Sequence, residues 1–452
     1  MKKSQKILFL IAIIVIVIIT ILIVLIQSNK KNKYNENIFD LGEDDGKGYV
    51  ANKSFEKVDD YSIYFSAKNI LNDYISFFEQ INGDVEFEKG RIQLSDEELK
   101  KQRYEAGIRA VTQCLDDQYK NSETYNEEKI KSYVGKYRNT SGNSKYILYI
   151  NEMYKADIEQ NCILVLVYSK LNNNDFNCMI KMDFNSKRYT VFWDDYLEKN
   201  GYTKNRTEDI NITGDLKDIE NTDYNIFIPS YPSAQDISIR YFDDLKYKIK
   251  YNPNELYFDL LDEKYKEKRF PSTELFTEFI TDINNRLDNM DIEQYKYEKN
   301  QISVVDNYEN IYTFKISSVM EYKVLLDNYT IKNDELTELY NKSNEQGKVN
   351  SNIKEFFYMV NMKDYNGIYN KLDDTFKNNN FGTLNDLRSY IKQNLYDYCV
   401  IKETVNAEKD NNNYIYTVSF SDGKNKYAET KEITIVMQLK EETDYVISFS
   451  ME

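Results

Sequence analysis

Paired carboxylates occur three times in this chain, each pair between a leucine and an aromatic residue, and they are the first candidates for chemistry. The three copies are Leu115-Asp116-Asp117-Gln118-Tyr119-Lys120, Leu261-Asp262-Glu263-Lys264-Tyr265-Lys266 and Leu372-Asp373-Asp374-Thr375-Phe376-Lys377. A carboxylate held in a pocket can act as a general acid or base, which makes Asp262 and Glu263 candidates. On a helix, however, the leucine and the aromatic residue would face the core, while Asp262 and Lys266 would form a solvated ion pair. We therefore predict a structural role and assign no catalytic residue.

Other chemistry is restricted by what the composition lacks. The chain has no histidine, which excludes Ser-His-Asp and Cys-His catalysis and imidazole metal sites. It has no calcium loop of the D-x-[DN]-x-[DN]-G type, so we predict no metal site and no cofactor. The formal net charge of -16 disfavours contact with a phosphate backbone, so we predict no nucleic-acid partner.

The four cysteines lack the C-x-x-C spacing of zinc and redox sites: they are Cys114, Cys162, Cys178 and Cys399. A hairpin centred at residues 171–175 would place Cys162 opposite Asp183. Cys178 would then face Val167, about 17 Å from Cys162 and too far away for a disulfide. We expect all four to be buried, free thiols.

A repeated helical element has to position the paired carboxylates. Eleven residues after the aromatic residue of each copy, an apolar triplet begins: Ile130, Tyr133 and Val134; Phe276, Phe279 and Ile280; Leu387, Tyr390 and Ile391. This spacing predicts a second helix on the same core. Because the spacing is the same three times, we interpret the chain as three copies of one module.

Period-two patterns follow the helices in each copy and predict antiparallel strands. The predicted strands are 146–154, 161–168, 176–184 and 188–193 in the first copy, 301–305, 311–317 and 320–331 in the second, and 398–405, 414–420, 432–439 and 444–450 in the third. Asn82-Gly83 and Asn252-Pro253 predict helix ends, and Asp422-Gly423 predicts a hairpin turn. Helices followed by an antiparallel meander indicate an α+β fold.

The N-terminal stretch from Ile7 to Ile26 is apolar except for Thr20 and has lysines on both sides. Twenty such residues span a hydrocarbon core of ~30 Å, so we predict a single-pass transmembrane helix that contacts the lipid bilayer. No small-x-small cleavage site follows it, which argues against a cleaved signal peptide. We expect a cell-membrane protein with a cytoplasmic N-terminus and the bulk of the chain extracytoplasmic.

Shifts in composition set the domain boundaries. We predict a membrane anchor over residues 1–33, a spacer over 34–58, module 1 over 59–202, a linker over 203–234, module 2 over 235–331, a linker over 332–350 and module 3 over 351–452. The first linker is marked by Asn, Asp, Gly and Pro. The second is polar, with a helical pattern around Leu336 and Leu339.

The order of helices and strands resembles the NTF2-like α+β cone of the nuclear transport factor superfamily, in which a curved sheet wraps a helix. The resemblance rests on Phe356-Phe357-Tyr358, Lys363-Asp364-Tyr365 and the stretch from Ile368 to Phe376, and it covers residues 59–452 as three modules. Module 1 departs from it by an insertion from Asp84 to Arg103. Enzymes of this group use Asp, His or Tyr inside the cone; without histidine, we predict that this protein is not an enzyme.

With its single anchor, the architecture is similar to the channel-scaffold proteins of Gram-positive conjugal-transfer systems. The resemblance implies a membrane-anchored extracytoplasmic binding or scaffold protein, with protein partners or self-association. The alternatives are a membrane-tethered sensor or small-ligand binder with one cone as its pocket, and an NTF2-like isomerase or dehydratase. A deep cone with an Asp and a Tyr within hydrogen-bond reach would favour these alternatives, whereas cones filled by Phe, Tyr and Leu would favour a scaffold.

Overall fold

A computed structural model describes residues 53–83, 95–115, 126–138, 146–159, 162–184, 187–199, 211–212, 232–298, 300–332 and 334–451. The chain divides into two compact units, Met1–Tyr231 and Pro232–Glu452. Predicted module 1 lies in the first unit, and predicted modules 2 and 3 both lie in the second. The boundaries between the predicted domains stay predictions.

The fold class needs one correction. We predicted a transmembrane helix ahead of the modules, but within the described ranges no helix is long and apolar enough to cross a membrane. The longest helix in these ranges, Tyr61–Asn82, contains the charged residues Lys68, Asp73 and Glu79. The stretch from Ile7 to Ile26 lies outside the described residues. The fold that is shown is a mixture of helices and antiparallel sheets, and the predicted localisation stays a prediction.

The first unit has helices α1 (Tyr61–Asn82), α2 (Asp96–Cys114) and α3 (Glu127–Gly135) before its main sheet and α4 (Asp194–Lys199) after it. Its strands are β1 (Lys53–Ser54), β2 (Glu56–Lys57), β3 (Leu148–Glu159), β4 (Cys162–Leu171), β5 (Asn174–Asp175), β6 (Cys178–Asp183), β7 (Arg188–Phe192) and β8 (Asn211–Ile212). The main sheet has the order β2-β3-β4-β6-β7; β5 pairs with β4, and β1 pairs with β8.

Helix α1 follows directly from its sequence. Asp60 caps its N-terminus by accepting a hydrogen bond from the Ser62 N–H at 2.7 Å. Gly83 ends it in the left-handed region at φ 72°, as the Asn82-Gly83 pair predicted. Its apolar residues at three- and four-residue steps are buried, among them Phe78.

The first half of the second unit begins with helices α5 (Ala234–Tyr251) and α6 (Pro253–Glu255) and a π-helical turn (Leu256–Leu260). Helices α7 (Glu263–Arg269) and α8 (Thr273–Ile283) and a 3-10 turn (Asn284–Asn289) follow. Strands β9 (Ile292–Glu298), β10 (Gln301–Asp306), β11 (Ile311–Ile316) and β12 (Tyr322–Leu325) form an antiparallel meander. Helix α5 ends before Asn252-Pro253, as predicted, because proline disfavours helical backbone at the preceding residue.

The second half of this unit has helices α9 (Asp334–Lys342), α10 (Glu345–Asn361), α11 (Tyr365–Lys371), α12 (Asp374–Asn380) and α13 (Leu384–Asn394). Strands β13 (Cys399–Asp410), β14 (Asn413–Asp422), β15 (Lys431–Leu439) and β16 (Tyr445–Met451) form a second meander. Helix α9 and the start of α10 occupy most of the stretch 332–350. The tight turn predicted at Asp422-Gly423 is wrong. Strands β14 and β15 do pair antiparallel, but residues 423–430 form a longer connection between them, and the tight turn is Asn411-Asn412, between β13 and β14.

Strand β9 was missed by the sequence prediction. Its first residue, Ile292, is partly buried, and the other six are exposed. Such a strand has no alternation of buried and exposed residues for a period-two search to detect. It lies at the edge of its sheet.

In the second and third copies, which the structure describes, the paired carboxylates do not form the ion pairs that we predicted. Asp262 precedes α7 and caps it, with its side chain accepting from the Tyr265 N–H at 3.2 Å, and Asp373 caps α12. Lys266 pairs with Glu263 at 2.8 Å instead. The reason is that Asp262 has extended backbone, at φ -60° and ψ 131°, and lies outside the helix. Its side chain is therefore not placed above that of Lys266, as it would be four residues earlier on one helix.

The leucine of each copy has one shared structural role. It forms an isolated parallel bridge to the last strand of the sheet that follows: Leu115 with Val191, Leu261 with Val324 and Leu372 with Ile447. Seven positions after the aromatic residue of each copy lies the capping residue of the next helix: Asn126, Ser272 and Thr383. The apolar triplets lie on α3, α8 and α13, as predicted. These shared features support a repeated module, although residues 116–120 of the first copy lie outside the described residues.

Candidate functional site

The described cores are filled by aromatic side chains. Ring pairs have centroid distances of 3.8, 5.2 and 5.4 Å: Tyr133 and Trp193 in the first unit, Tyr241 and Tyr322 against the sheet β9 to β12, and Phe356 and Phe449 against the sheet β13 to β16. Side chains packed at such distances occupy the space between helices and sheet. Of the two arrangements weighed above, these contacts match the one in which Phe, Tyr and Leu fill the core.

Pairs of Asp and Tyr do occur, but inside the filled cores. The Tyr312 hydroxyl donates to Asp306 at 3.1 Å, and Asp306 also accepts from the N–H groups of Tyr308 and Asn310 at 2.8 and 2.9 Å. Burial raises the pKa of Asp306, against the effect of these hydrogen bonds. Because the carboxylate is 0% exposed and hydrogen-bonded on both oxygens, it stabilises the β10–β11 turn and cannot meet a substrate.

A buried arginine joins the two halves of the second unit. Arg269, the last residue of α7, is 5% exposed. Its Nη1 lies 2.8 Å from Asp364, and its Nη2 donates to the Met362 carbonyl at 3.3 Å. Its Nε lies 3.6 Å from Asp327, a separation at which the contact is electrostatic and not a hydrogen bond. Burial alone would lower the pKa of Arg269, but the negative charge of Asp364 raises it, so the guanidinium stays charged.

Both carboxylates beside Arg269 have further partners. Asp327 accepts from the Tyr265 hydroxyl at 2.7 Å and from the N–H and hydroxyl of Thr330 at 2.8 and 3.0 Å. Burial raises the pKa of Asp327 above its ordinary value, against the attraction of Arg269. Asp364 caps helix α11. One cation and two anions thus share an enclosed site in which each carboxylate has a second structural task.

A second buried arginine contacts the same connection between α10 and α11. Arg286, in the 3-10 turn, donates through Nη1 to the Asn361 carbonyl at 2.7 Å. Its Nε donates to the Asp397 carboxylate at 3.0 Å, and its Nη2 donates to the carbonyl of the same residue. Together Arg286 and Arg269 bind the connection at residues 361, 362 and 364. We call the two arginines and residues 361–364 the arginine clamp.

Lys363 lies within the arginine clamp, in the left-handed region at φ 55°. Its side chain is 7% exposed, and its ammonium lies 2.7 Å from Asp397. Burial and the charge of Arg286 lower the pKa of Lys363 to about 8. Burial works to raise the pKa of Asp397, but Arg286 and Lys363 outweigh it and bring that pKa to about 2. A lysine with a lowered pKa can serve as a base, but this ammonium is held by Asp397.

Ion pairs between helices extend the contact. Arg388 and Lys392 of α13 lie 3.0 and 2.7 Å from Asp282 of α8, and Arg388 also lies 2.9 Å from Glu278. Asp282 is only 10% exposed in its side chain, so solvent screens these pairs less than ordinary surface pairs. The two halves of the second unit are therefore joined by charged contacts between helices as well as by the connecting chain.

A polar groove of about 860 Å³ lies beside the arginine clamp. Its charged side chains pair with each other, Lys332 with Glu355 at 2.8 Å and Lys371 with Asp444. Tyr329 also lines the groove; its hydroxyl is buried and has no hydrogen-bond partner among the residues that the structure describes. The volume suits a small molecule, but the paired charges leave little surplus charge to hold an ionic ligand.

The cysteines are free and buried, as predicted. In the sheet register Cys162 faces Asp183 and Cys178 faces Val167, the pairing that the hairpin predicted. Burial raises the pKa of the Cys399 thiol to about 12, so little thiolate forms at neutral pH. Across the described ranges, no group of three or more His, Cys, Asp or Glu side chains is placed to hold a metal ion.

Sequence reasoning did not identify the arginine clamp. The one signal in the sequence was that the chain has far fewer arginines than lysines, which makes each arginine a candidate for a special role. Arginine suits buried ion pairs better than lysine does, because its planar guanidinium is weakly hydrated and makes several directed hydrogen bonds. Both Arg269 and Arg286 are buried.

Comparison with known proteins gives no relative from which a role could be transferred. No family model matches the chain, no curated protein matches it, and no solved structure matches it. The functional argument therefore rests on the residues and contacts described above.

Proposed function

We propose that this protein is a binding or scaffold protein that mediates protein–protein contacts and has no enzymatic activity. The observation that carries the proposal is the filling of the described cores by rings such as Phe356 and Phe449, whose centroids lie 5.4 Å apart. An enzyme or ligand binder of the cone type needs an open cavity at that place. In the second and third copies the first carboxylate of the pair, Asp262 or Asp373, caps a helix, which also argues against acid–base chemistry. The resemblance to NTF2-like domains remains part of this proposal.

The arginine clamp supports a scaffold role. Modules joined only by a linker move relative to each other by default, whereas the second unit has buried charged contacts at Asp364 and at Asn361. Two modules held in this way present their outer surfaces in a fixed arrangement. A partner that contacts both would then bind without first ordering them.

Photo-crosslinking in the native host tests this function. A photoreactive residue would replace one exposed side chain at a time, on different surfaces of the second unit. The five positions, which are 42 to 83% exposed, are Phe258, Tyr295, Leu339, Val405 and Tyr427. We expect specific crosslinks to a protein from at least one position. Purified full chain that is strictly monomeric, with no crosslink from any position, would overturn the proposal.

The groove beside the arginine clamp supports a second candidate, a small-ligand binder. The observation that favours it is the buried Tyr329 hydroxyl without a described partner, since such a group is costly unless something binds it. Native mass spectrometry of protein purified from its host would detect a retained small molecule, and Tyr329→Phe should reduce its occupancy. Tyr427→Phe, at a residue 83% exposed elsewhere, is the matched control. Unliganded protein in every preparation would reject this candidate.

A further inference from the structure

Strand β9 leaves one edge of its sheet unpaired. It is the terminal strand in the order β12-β11-β10-β9, and in the part of the chain that the structure describes no strand pairs with its outer side. From Gln294 to Glu298 its register with β10 is unbroken. A regular row of backbone N–H and C=O groups therefore faces outward. Such an edge can accept an extended chain as an additional strand.

Two tyrosines of β9 lie on the core face of the sheet at this edge. Tyr295 lies opposite Val304, and Tyr297 lies opposite Ile302. Residues directly opposite each other share a face of the sheet. The two partners are 0% exposed, whereas the tyrosines are 42% and 40% exposed. A strand added beside β9 would cover both rings.

A groove of about 300 Å³ runs between β9 and helix α5. Ile239, which is 37% exposed, contributes an apolar wall. Asp243, Asp291 and Glu293 contribute carboxylates, and the one lysine in the lining, Lys246, lies 3.3 Å from Asp243. The groove is therefore acidic. On a chain of net charge -16, it favours a basic partner and disfavours a second copy of the same chain.

The first unit already contains a pairing of this kind. Strand β3 is the first strand after the helices, as β9 is, and the short strand β2 pairs with it antiparallel. The residues on either side of β2, Phe55 and Val58, are 8% and 0% exposed. The Val58 N–H donates to the Met153 carbonyl at 3.0 Å. An extended segment with buried apolar side chains thus covers the equivalent edge of the first unit.

Strand β13 holds the same position in the last sheet but is a poorer acceptor. Its pairing with β14 shifts register twice, between Ile401 and Glu403 and between Thr404 and Asn406. Bulges break the regular row of outward groups and twist an edge away from a partner strand. The observations therefore favour the edge of β9.

We propose that the outer edge of β9, with Tyr295, Tyr297 and the acidic groove against α5, binds an extended segment of a partner protein that alternates apolar and basic side chains. The backbone hydrogen bonds of the added strand supply affinity, and the two rings take its apolar side chains on the face toward α5. Its basic side chains lie on the opposite face, where the negative charge of the groove and of the whole chain attracts them. The inference rests on the proposed function and names the surface and the class of partner.

Four synthetic peptides test the charge and the mode of binding. A labelled peptide of alternating lysine and valine is titrated with the purified full chain by fluorescence anisotropy, beside a peptide of alternating glutamate and valine. We expect saturable binding of the lysine peptide and at least about tenfold weaker binding of the glutamate peptide. Antiparallel pairing uses the N–H groups of alternate residues. Of two lysine peptides N-methylated at alternate positions in opposite phase, one should therefore lose binding and the other keep it.

Variants of the protein locate the site. The double substitution Tyr295→Thr with Tyr297→Thr keeps strand propensity and removes both rings, and it should weaken binding about threefold to tenfold. Tyr427→Thr changes an aromatic side chain that is 83% exposed elsewhere and should leave binding unchanged. Equal binding by both N-methylated peptides, or by the double variant and the wild type, would mean nonspecific attraction and would overturn the proposal.

The crosslinking experiment separates failure of this inference from failure of the proposed function. Crosslinks from Phe258, Leu339 or Val405 with none from Tyr295 would retain the scaffold role and reject β9 as the surface. Absence of crosslinks from every position would reject the role itself. A dimer of the purified chain that the double tyrosine variant abolishes would assign the edge to a second copy and reject the basic partner.

Discussion

Replacing Arg269 by methionine tests the arginine clamp most directly. Arg269→Met removes the cation but keeps an apolar side chain, so Asp327 and Asp364, each 3% exposed, remain as buried carboxylates without it. Removal of one partner from a buried ion pair costs about 3 to 5 kcal/mol. The unfolding free energy of the second unit should fall by that amount. With a denaturant dependence of about 2.5 kcal/mol per M, the urea midpoint should fall by about 1 to 2 M.

The chain has an internal control for this measurement. Its one tryptophan, Trp193, is buried in the first unit, so tryptophan fluorescence follows that unit, while far-ultraviolet circular dichroism follows both. Arg269→Met should shift the dichroism transition of the second unit and leave the fluorescence transition in place. Lys342→Met is the matched variant, because Lys342 and its partner Glu338 are 70% and 66% exposed. A pair of that kind contributes little to stability, so its midpoint should not move.

The pH dependence of the stability lost in Arg269→Met distinguishes two causes of that loss, a buried carboxylate without its cation and poorer packing. Burial already raises the pKa of Asp327, and without Arg269 it rises further above the unfolded value, so the folded state gains protons as the pH falls. The difference in unfolding free energy between wild type and Arg269→Met should therefore shrink from pH 7 to pH 5. A loss below about 1 kcal/mol at neutral pH, or a loss that does not depend on pH, would refute the electrostatic reasoning.

Lys363, the four cysteines and Gly423 provide three further tests. The pKa of Lys363 is lowered to about 8, so above that pH the folded state binds fewer protons than the unfolded one. Wild type should gain stability over Lys363→Met by up to about 1.4 kcal/mol per pH unit. Urea midpoints that change equally with pH in the two proteins would contradict this. A thiol reagent should label none of the cysteines, all buried, until the protein unfolds; mass spectrometry would reveal rapid native labelling as the contrary result. Gly423→Ala directs its Cβ into the Tyr398 ring, whereas Gly135→Ala meets nothing within 4 Å. The first should lower stability by about 1 to 3 kcal/mol and the second should not, so equal urea midpoints would show that the ring moves aside.

Periodicity predicted the elements whose burial alternates or repeats. The register that places Cys162 opposite Asp183 followed from loop length and alternation alone, and the structure confirms it. Helix α1 and its end at Gly83 followed from apolar spacing and a left-handed stop. Such features depend on neighbours in sequence, which is why a sequence suffices to find them.

Contacts between distant residues were not predictable in the same way. We predicted Asp262 on a helix because the residues of its copy have helical spacing. Its backbone is extended, however, and its carboxylate also pairs with Lys315 at 2.8 Å. The arginine clamp depends on the contact of Arg269 with Asp364, which lie on different predicted modules. No local pattern specifies that meeting. Strand β9 was missed for a different reason: six of its seven residues are exposed, so its sequence shows no period-two alternation. The same exposure makes it a candidate for binding.

The leucine bridges make the folding of each module a problem of loop closure. The two residues of each bridge, such as Leu261 and Val324, are roughly sixty to eighty positions apart in the chain, a separation that slows folding because the closure entropy must be overcome first. Leu261 and Leu372 lie just before helices α7 and α12, so in the second unit the bridge connects the start of a helix with the last strand of the sheet. A module can therefore form this contact only after its meander has assembled, so we expect it to fold in one cooperative step and slowly for its size.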